Sequence, residues 1–163
     1  MRRHDSRDVK NSCDLLWQRT IFNLSGGFEE VLRFRAPLQW MMRTPTRPIE
    51  MHGQTIPAGK LVLPMIGSAN RDPAQFPNPE RFDITRSPNP HVTFGHGIHF
   101  CMGAPLARME TSIALTDLLA RLSHFEYAGD APWTPRQALH VHGPSSLPLH
   151  VTRNQAYAAL GGP

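Results

Sequence analysis

The stretch Phe94-Gly95-His96-Gly97-Ile98-His99-Phe100-Cys101-Met102-Gly103 is the densest motif in the chain. Its glycines let the backbone adopt positive φ angles and approach a flat ligand closely. A helical pattern follows at residues 104–123, so the motif delivers Cys101 to a helix N-terminus, where unpaired backbone amides stabilise a thiolate. The motif therefore predicts a thiolate metal ligand at Cys101.

Two other interpretations of Cys101 stay open from the residues alone. A cysteine in a loop is often a small buried apolar residue, and the glycines would then only turn the chain. A zinc site is the second alternative, because nitrogen and sulfur ligands lie close together in sequence. Its candidate ligands are His91, His96, His99 and Cys101.

Two helices are expected on either side of the motif. Residues 104–123 carry an apolar stripe at helical spacing, with Pro105 suited to the first turn. Residues 28–35 are rich in helix formers, and Pro37 ends that helix because the residue before a proline avoids the α region. Glu30 and Arg33 lie one turn apart on it, a spacing that is common on solvated helix faces.

Short strands are expected elsewhere. Residues 49–51 and 54–56 flank His52-Gly53, a two-residue turn signal, and predict a hairpin. Residues 139–141 and 147–151 predict a second strand pair. The fold class is therefore mainly α with small β sheets (α+β).

The pattern Phe94-Gly95-x-Gly97-x-His99-x-Cys101-x-Gly103 resembles the haem-binding loop of the cytochromes P-450. This resemblance implies haem b, an iron protoporphyrin, with Cys101 as the axial ligand of the iron; thiolate ligation favours O–O bond cleavage in this family. It also implies an oxidoreductase, a haem-thiolate monooxygenase that inserts one oxygen atom of O2 into an organic substrate. The implied haem-binding residues of the loop are Phe94, Gly95, Gly97, His99, Cys101 and Gly103.

The resemblance extends to further residues, in the order the family has them. Arg43 would bind a haem propionate, a role for which Arg47 competes, and His99 would be a second propionate partner. Glu30 and Arg33 match a structural Glu-x-x-Arg pair, and Arg81, in Pro79-Glu80-Arg81-Phe82-Asp83, would complete its network. Residues 69–73 match a further marker, and Arg108 is a weaker candidate for docking an acidic redox protein.

The resemblance covers residues 28–151 and corresponds to the C-terminal portion of the cytochrome P-450 fold. Residues 1–27 match poorly, and residues 152–163 are a tail. No segment resembles the distal helix with its acid-threonine pair, so we expect a truncated chain that lacks the oxygen-activation helix. The alternative is a non-catalytic haem-binding remnant or half of a split enzyme, whose partner would be a missing N-terminal half.

Composition and charge limit the classes of partner that the chain is expected to bind. The chain has 163 residues, a formal net charge of +4 and 18% charged residues, and its cations are scattered, so nucleic-acid binding is not expected. No run approaches the roughly 20 apolar residues that span a bilayer, so no membrane association is expected. Two cysteines fit a reducing, cytoplasmic location. The expected partners are a ferredoxin-type or flavin redox protein and a small organic substrate.

Overall fold

The computed structural model describes residues 24–129 and 138–159. Helix α1 (Leu24–Phe34) opens the described chain and begins before the predicted residue 28. It ends ahead of Pro37, as the sequence predicts. The predictions for residues 1–23, including Cys13, and for 130–137 fall outside the described residues.

The predicted hairpin is confirmed. Strands β1 (Ile49–Met51) and β2 (Gln54–Ile56) pair antiparallel, with Ile49 opposite Ile56. His52 and Gly53 both have positive φ angles, 50° and 74°, as a tight two-residue turn requires. A short helix, α2 (Ile66–Ala69), follows and leads into an irregular segment that reaches Phe94.

The long helix α3 (Ala104–Arg121) starts as predicted and ends earlier than residue 123. Leu122 is extended, with φ −110° and ψ 130°, and opens strand β3 (Leu122–Tyr127). The aromatic residues Phe125 and Tyr127 favour extended backbone. The strand was not predicted because Leu122 continues the apolar spacing of the helix.

The predicted pairing of residues 139–141 with 147–151 is wrong. Strand β4 (Leu149–Arg153) pairs antiparallel with β3, and Phe125 lies opposite Val151. Val141 instead forms an isolated antiparallel bridge with Leu38, near the end of α1. The partner of β4 is β3, whose first residues were predicted as the end of the long helix. Helix α4 (Gln155–Ala159) closes the described chain within the segment predicted as a tail.

Apolar residues contribute few fully buried side chains to the described part of the chain. The buried apolar residues are Leu32, Ala36, Ile66, Phe76 and Ala104. Four polar or charged residues are equally buried beside them: Glu30, Arg33, Asn70 and Thr93. Helix α1 packs against α3 and so places this interior next to the Cys101 loop, which we define as residues 94–103. Among the described helices none is long and apolar enough to cross a membrane.

Candidate functional site

Arg33 is fully buried and is the centre of a polar cluster that we define as Glu30, Arg33, Asn70, Arg86 and Thr93. Its guanidinium donates two hydrogen bonds of 2.8 Å to the Glu30 carboxylate. It donates three more, of 2.9 to 3.1 Å, to main-chain carbonyl oxygens of Asn70, Pro79 and Arg81. An arginine has five N–H donors, so every donor is used. Glu30 and Arg33, whose spacing is common on solvated helix faces, therefore lie in the interior of the molecule.

The Glu30 carboxylate is saturated with donors. Besides Arg33 it accepts hydrogen bonds from the Asp83 amide at 2.9 Å and from Asn89 Nδ2 at 3.2 Å. Burial raises the pKa of Glu30, but the hydrogen bonds from Arg33 and Asp83 and the charges of Arg33 and Arg86 outweigh it, so the net pKa lies below its usual value. Glu30 is therefore held as a carboxylate.

Arg81 joins the polar cluster differently from the expectation. Its carbonyl oxygen accepts from Arg33, while the residue itself is exposed. The second guanidinium belongs to Arg86, whose Nε lies 3.3 Å from Glu30 Oε2. Arg86 Nη1 also donates to the Pro77 carbonyl at 2.9 Å, so the irregular chain folds back over the cluster. Arg86 was not predicted from the sequence; its place shortly after Asp83, whose amide donates to Glu30, was the available signal.

Asn70 and Thr93 tie the polar cluster to the Cys101 loop. Asn70 Nδ2 donates to Thr93 Oγ1 at 2.8 Å, and Asn70 Oδ1 accepts from the Val92 amide at 2.8 Å. Thr93 Oγ1 in turn donates to the Leu32 carbonyl at 2.8 Å. The two residues that precede Phe94 are thus fixed to α1 and α2, which gives the loop a rigid starting point.

Inside the loop the backbone is shaped by glycines. Gly95 and Gly97 have φ angles of 79° and 66°, and a single turn of 3-10 helix spans Gly97–His99. A Cβ atom on Gly95 would lie 3.1 Å from the His99 carbonyl oxygen, so a side chain there meets backbone. The Cys101 amide donates to the Phe94 carbonyl at 2.8 Å, which closes the loop. These contacts explain the glycine spacing that the sequence displays.

Cys101 is a free, exposed thiol, which excludes its interpretation as a small buried residue. Its neighbours in the loop are exposed apolar side chains: Ile98 and Met102 are each 97% exposed, and Phe100 is 48% exposed. A Cβ atom on Gly103 would contact the Cys101 sulfur at 3.7 Å, whereas one on Gly97 would meet nothing within 4 Å. One sulfur donor in this open apolar rim with little side-chain bulk fits a flat macrocycle, which Cys101 would hold through its sulfur.

The zinc interpretation is wrong for the described residues, among which no three His, Cys, Asp or Glu side chains converge on a metal position. The Nε2 atom of His91 lies 2.7 Å from Glu29 Oε2, so it is engaged with a carboxylate on α1. His96 and His99 are both exposed on the Cys101 loop. Two glycines separate and redirect these side chains, so closeness in sequence does not bring the ligands together.

Arg43 and His99, the expected propionate partners, are both exposed. Arg43 exchanges backbone hydrogen bonds with Val62 at 2.8 and 2.9 Å and donates from Nη1 to the Met42 carbonyl at 2.8 Å. Arg47 is also exposed. The propionate contacts of Arg43 and His99 stay predictions.

Arg108 does not present a free cation for docking. Its Nε and Nη2 donate to the Glu29 carboxylate at 2.6 and 3.0 Å, and its guanidinium lies 4.7 Å from the centre of the Phe94 ring. The docking prediction did not consider Glu29. Glu29 and Glu30 are adjacent on α1, and Glu30 binds Arg33 in the interior while Glu29 binds Arg108 on α3.

The sequence model of the cytochrome P450 family matches residues 24–148. The chain belongs to the cytochrome P450 family. The fold is part of the P450 fold. The role of Cys101 as the thiolate ligand of the haem stays a prediction. Mainly α structure with small sheets is confirmed.

Relatives and solved structures agree with this membership. The chain is 45% identical over 121 residues to a biotin biosynthesis cytochrome P450 of Bacillus subtilis, covering 74% of this chain and 30% of that protein. It is 41% identical over 136 residues to the cytochrome P450 monooxygenase PikC of Streptomyces venezuelae, covering 81% and 32%. The crystal structure of CYP109E1 from Bacillus megaterium in complex with testosterone superposes with a TM-score of 0.80 at 39% identity, covering 90% of this chain and 40% of that one. This P450 chain therefore spans between about three tenths and two fifths of the length of these relatives.

One apolar face of α3 is largely exposed in the described part of the chain. Leu106, Met109 and Ile113 follow one another at helical spacing and are all more than half exposed. Apolar stripes of this kind mark surfaces that other polypeptide normally covers. The face is consistent with the partial coverage of the relatives.

Proposed function

We propose that this chain carries the thiolate side of a haem-thiolate monooxygenase, with Cys101 as the axial ligand of haem b. The observation that carries the proposal is the exposed thiol of Cys101, held by its own amide to Phe94 within an open apolar rim. When bound, the haem supplies the activation of O2 and its transfer to an organic substrate. The protein supplies binding, orientation and electrostatics.

Three features of the Cys101 loop support the proposed ligation. Helix α3 begins three residues after Cys101, so the sulfur precedes the positive end of the helix dipole. Gly95, Gly97 and Gly103 keep the backbone close to the face that the macrocycle would occupy. Phe94 supplies the carbonyl that orients the Cys101 amide.

The haem propionates would be bound by cations at the edge of the macrocycle. Arg43 and His99 are the proposed partners, since charge-assisted hydrogen bonds to carboxylates are stronger than neutral ones. Arg47 is the competing arginine. Both arginines are exposed, and neither forms an ion pair among the described residues.

The proposed partners follow from the family. Electrons would come from a ferredoxin-type or flavin redox protein, and a small organic substrate would be oxidised in the cytoplasm. The bacterial relatives, one of them named a monooxygenase, support this assignment.

Turnover requires more polypeptide than the described part of the chain contains. The exposed stripe Leu106, Met109 and Ile113 and the partial coverage of the relatives support this view. We propose a truncated chain without the distal oxygen-activation helix, which binds haem and does not hydroxylate alone. The same two observations favour the alternative, half of a split enzyme or a haem-binding remnant.

The carbon monoxide difference spectrum of the reduced, haem-loaded chain tests the proposal. Thiolate ligation shifts the Soret band strongly to the red, so we expect that band in the parent and in Cys13→Ala, and its loss in Cys101→Ala. A folded parent that takes up haem without this band contradicts the assignment. Addition of a polypeptide with the distal motif then separates the split enzyme, which gains turnover, from the remnant, which does not.

A further inference from the structure

Glu29 bridges two residues from different parts of the chain. Its Oε1 accepts from Arg108 Nε on α3 at 2.6 Å, and its Oε2 accepts from Arg108 Nη2 at 3.0 Å and lies 2.7 Å from His91 Nε2. The Thr93 amide donates to His91 Nδ1 at 3.3 Å, so the ring proton lies on Nε2 and points at Glu29. Each oxygen of Glu29 thus has at least one fixed donor.

Both partners of Glu29 also contact Phe94. The Arg108 guanidinium lies over the Phe94 ring, 4.7 Å from its centre, and the His91 ring centre lies 6.3 Å from the same ring. A cation over an aromatic face is attracted to it, and Glu29 fixes the cation there with a two-point bond. Phe94 therefore contacts two groups that are both bound to Glu29.

Phe94 passes this restraint to Cys101. Its carbonyl oxygen accepts the Cys101 amide at 2.8 Å, and its ring contacts the Phe100 ring edge-on at 6.4 Å between centres. The path from Glu29 to the thiol consists of Arg108, Phe94 and one main-chain hydrogen bond. It is separate from the Glu30 carboxylate, which faces the interior.

We propose that Glu29 is a positioning residue for the Cys101 thiolate, acting through Arg108 and Phe94. The proposal rests on the proposed function, because positioning Cys101 matters only if its sulfur binds haem. The contacts from Glu29 to Cys101 are present without haem. Hydrogen bonds from Arg108, opposed by partial burial and aided by His91, lower the pKa of Glu29, so the bridge keeps its charge at neutral pH.

Amide hydrogen exchange of Cys101 in the haem-free, full chain tests the proposal. Glu29→Gln loses the charge and one good acceptor, so the Cys101 amide should exchange at least fivefold faster than in the parent. The amides of Arg43 and Val62, which pair with each other elsewhere, should change less than twofold. Asp117→Asn is the matched control: it breaks an exposed ion pair with Arg121 on the same helix and should leave Cys101 unchanged.

A double-variant cycle separates positioning from general loosening of α1. Arg108→Gln alone should accelerate Cys101 exchange as Glu29→Gln does, and adding Glu29→Gln to it should change the rate less than twofold. Full additivity of the two effects, or an unchanged Cys101 amide in Glu29→Gln, overturns the proposal. If Glu29→Gln does not fold, Arg108→Lys carries the test, since a lysine keeps the charge and loses the two-point bond.

A spectroscopic readout links the inference to the proposed function. In the reduced, haem-loaded chain, Glu29→Gln should lower the fraction of carbon monoxide complex with the red-shifted Soret band, and Asp117→Asn should not. If the parent lacks that band, the proposed function fails, and the exchange of Cys101 in the haem-free chain still decides the role of Glu29. If the parent has the band and neither readout moves in Glu29→Gln, the role of Glu29 is wrong and the proposed function stands.

Discussion

The polar cluster and the Cys101 loop lie close together and differ in burial and in hydrogen bonding. In the cluster, Glu30 and Arg33 are 0% exposed and fully hydrogen-bonded. In the loop, Cys101 is an exposed thiol beside exposed apolar side chains. Buried charges tolerate no loss of a partner, whereas an exposed group can be changed with little effect on stability. The charges of the interior therefore maintain the fold, and the open loop is free to serve chemistry.

Removing Arg33 should have the largest effect on stability. Arg33→Met leaves the Glu30 carboxylate buried without its main partner and deprives three carbonyl oxygens of a donor. Breaking a buried pair in this way costs about 3–5 kcal/mol, which is a large share of a domain's free energy of unfolding. Denaturant unfolding followed by circular dichroism measures it. Asp117→Asn, in an exposed pair, should cost less than about 1 kcal/mol, and equal losses in the two variants would contradict the comparison.

Thr93→Val should weaken the joint between the two regions. The substitution leaves Asn70 Nδ2 without its acceptor and the Leu32 carbonyl without a donor, both in the interior. An unsatisfied buried polar group costs about 1–3 kcal/mol. Thermal unfolding compares this variant with Thr116→Val, whose hydroxyl is exposed on α3 and bonds only its own helix. A smaller fall in the unfolding temperature for Thr93→Val than for Thr116→Val would show that Thr93 does not link the polar cluster to the loop.

Gly95→Ala and Gly97→Ala should differ although both glycines have positive φ angles. Each alanine incurs about 1–2 kcal/mol of backbone strain in this region. Only Gly95 adds a close contact, 3.1 Å from the added Cβ to the His99 carbonyl oxygen. Unfolding free energies should therefore fall further for Gly95→Ala. An equal loss would show that conformation alone selects glycine here.

Acid should weaken the chain through the depressed carboxylates. Because the pKa values of Glu29 and Glu30 are lower in the folded chain than in the unfolded chain, their contribution is present above the unfolded pKa and is lost as pH falls through the folded one. The free energy of unfolding should fall from about pH 5 downward. Unfolding titrations at several pH values should give a shallower slope in Glu29→Gln and the parental slope in Glu126→Gln, an exposed control. A parental slope in Glu29→Gln would mean that its bridge contributes nothing to folding.

Cys101→Ala should have the smallest effect on stability. An exposed side chain without a structural partner usually contributes within about 0.5 kcal/mol. Unfolding curves of the parent and of Cys101→Ala should coincide. A large loss would place Cys101 with the polar cluster and erase the contrast between the two regions.

Much of the site was predictable because local chemistry determines it. Glycine spacing around Cys101, the start of α3 and the hairpin of β1 and β2 each follow from rules that act over a few residues. The Glu30 and Arg33 pair was visible for the same reason. Its burial was not predictable from spacing, because carbonyl oxygens more than thirty residues away complete it.

The missed features depend on contacts that are distant in sequence. Arg86 reaches Glu30 across 56 residues, and Arg108 reaches Glu29 across 79. The pairing of β3 with β4 failed because a strand directly follows α3, where the apolar stripe still fitted a helix. Local sequence patterns identify candidate side chains, and the tertiary structure determines which of them contact one another.

The most direct test combines two measurements on Cys101→Ala: its unfolding curve and the carbon monoxide difference spectrum of its reduced, haem-loaded form. The account predicts a parental unfolding curve together with complete loss of the red-shifted Soret band that the parent displays. A variant that keeps this band would contradict Cys101 as the haem ligand. A variant that unfolds at much lower denaturant would contradict the separation of fold from chemistry.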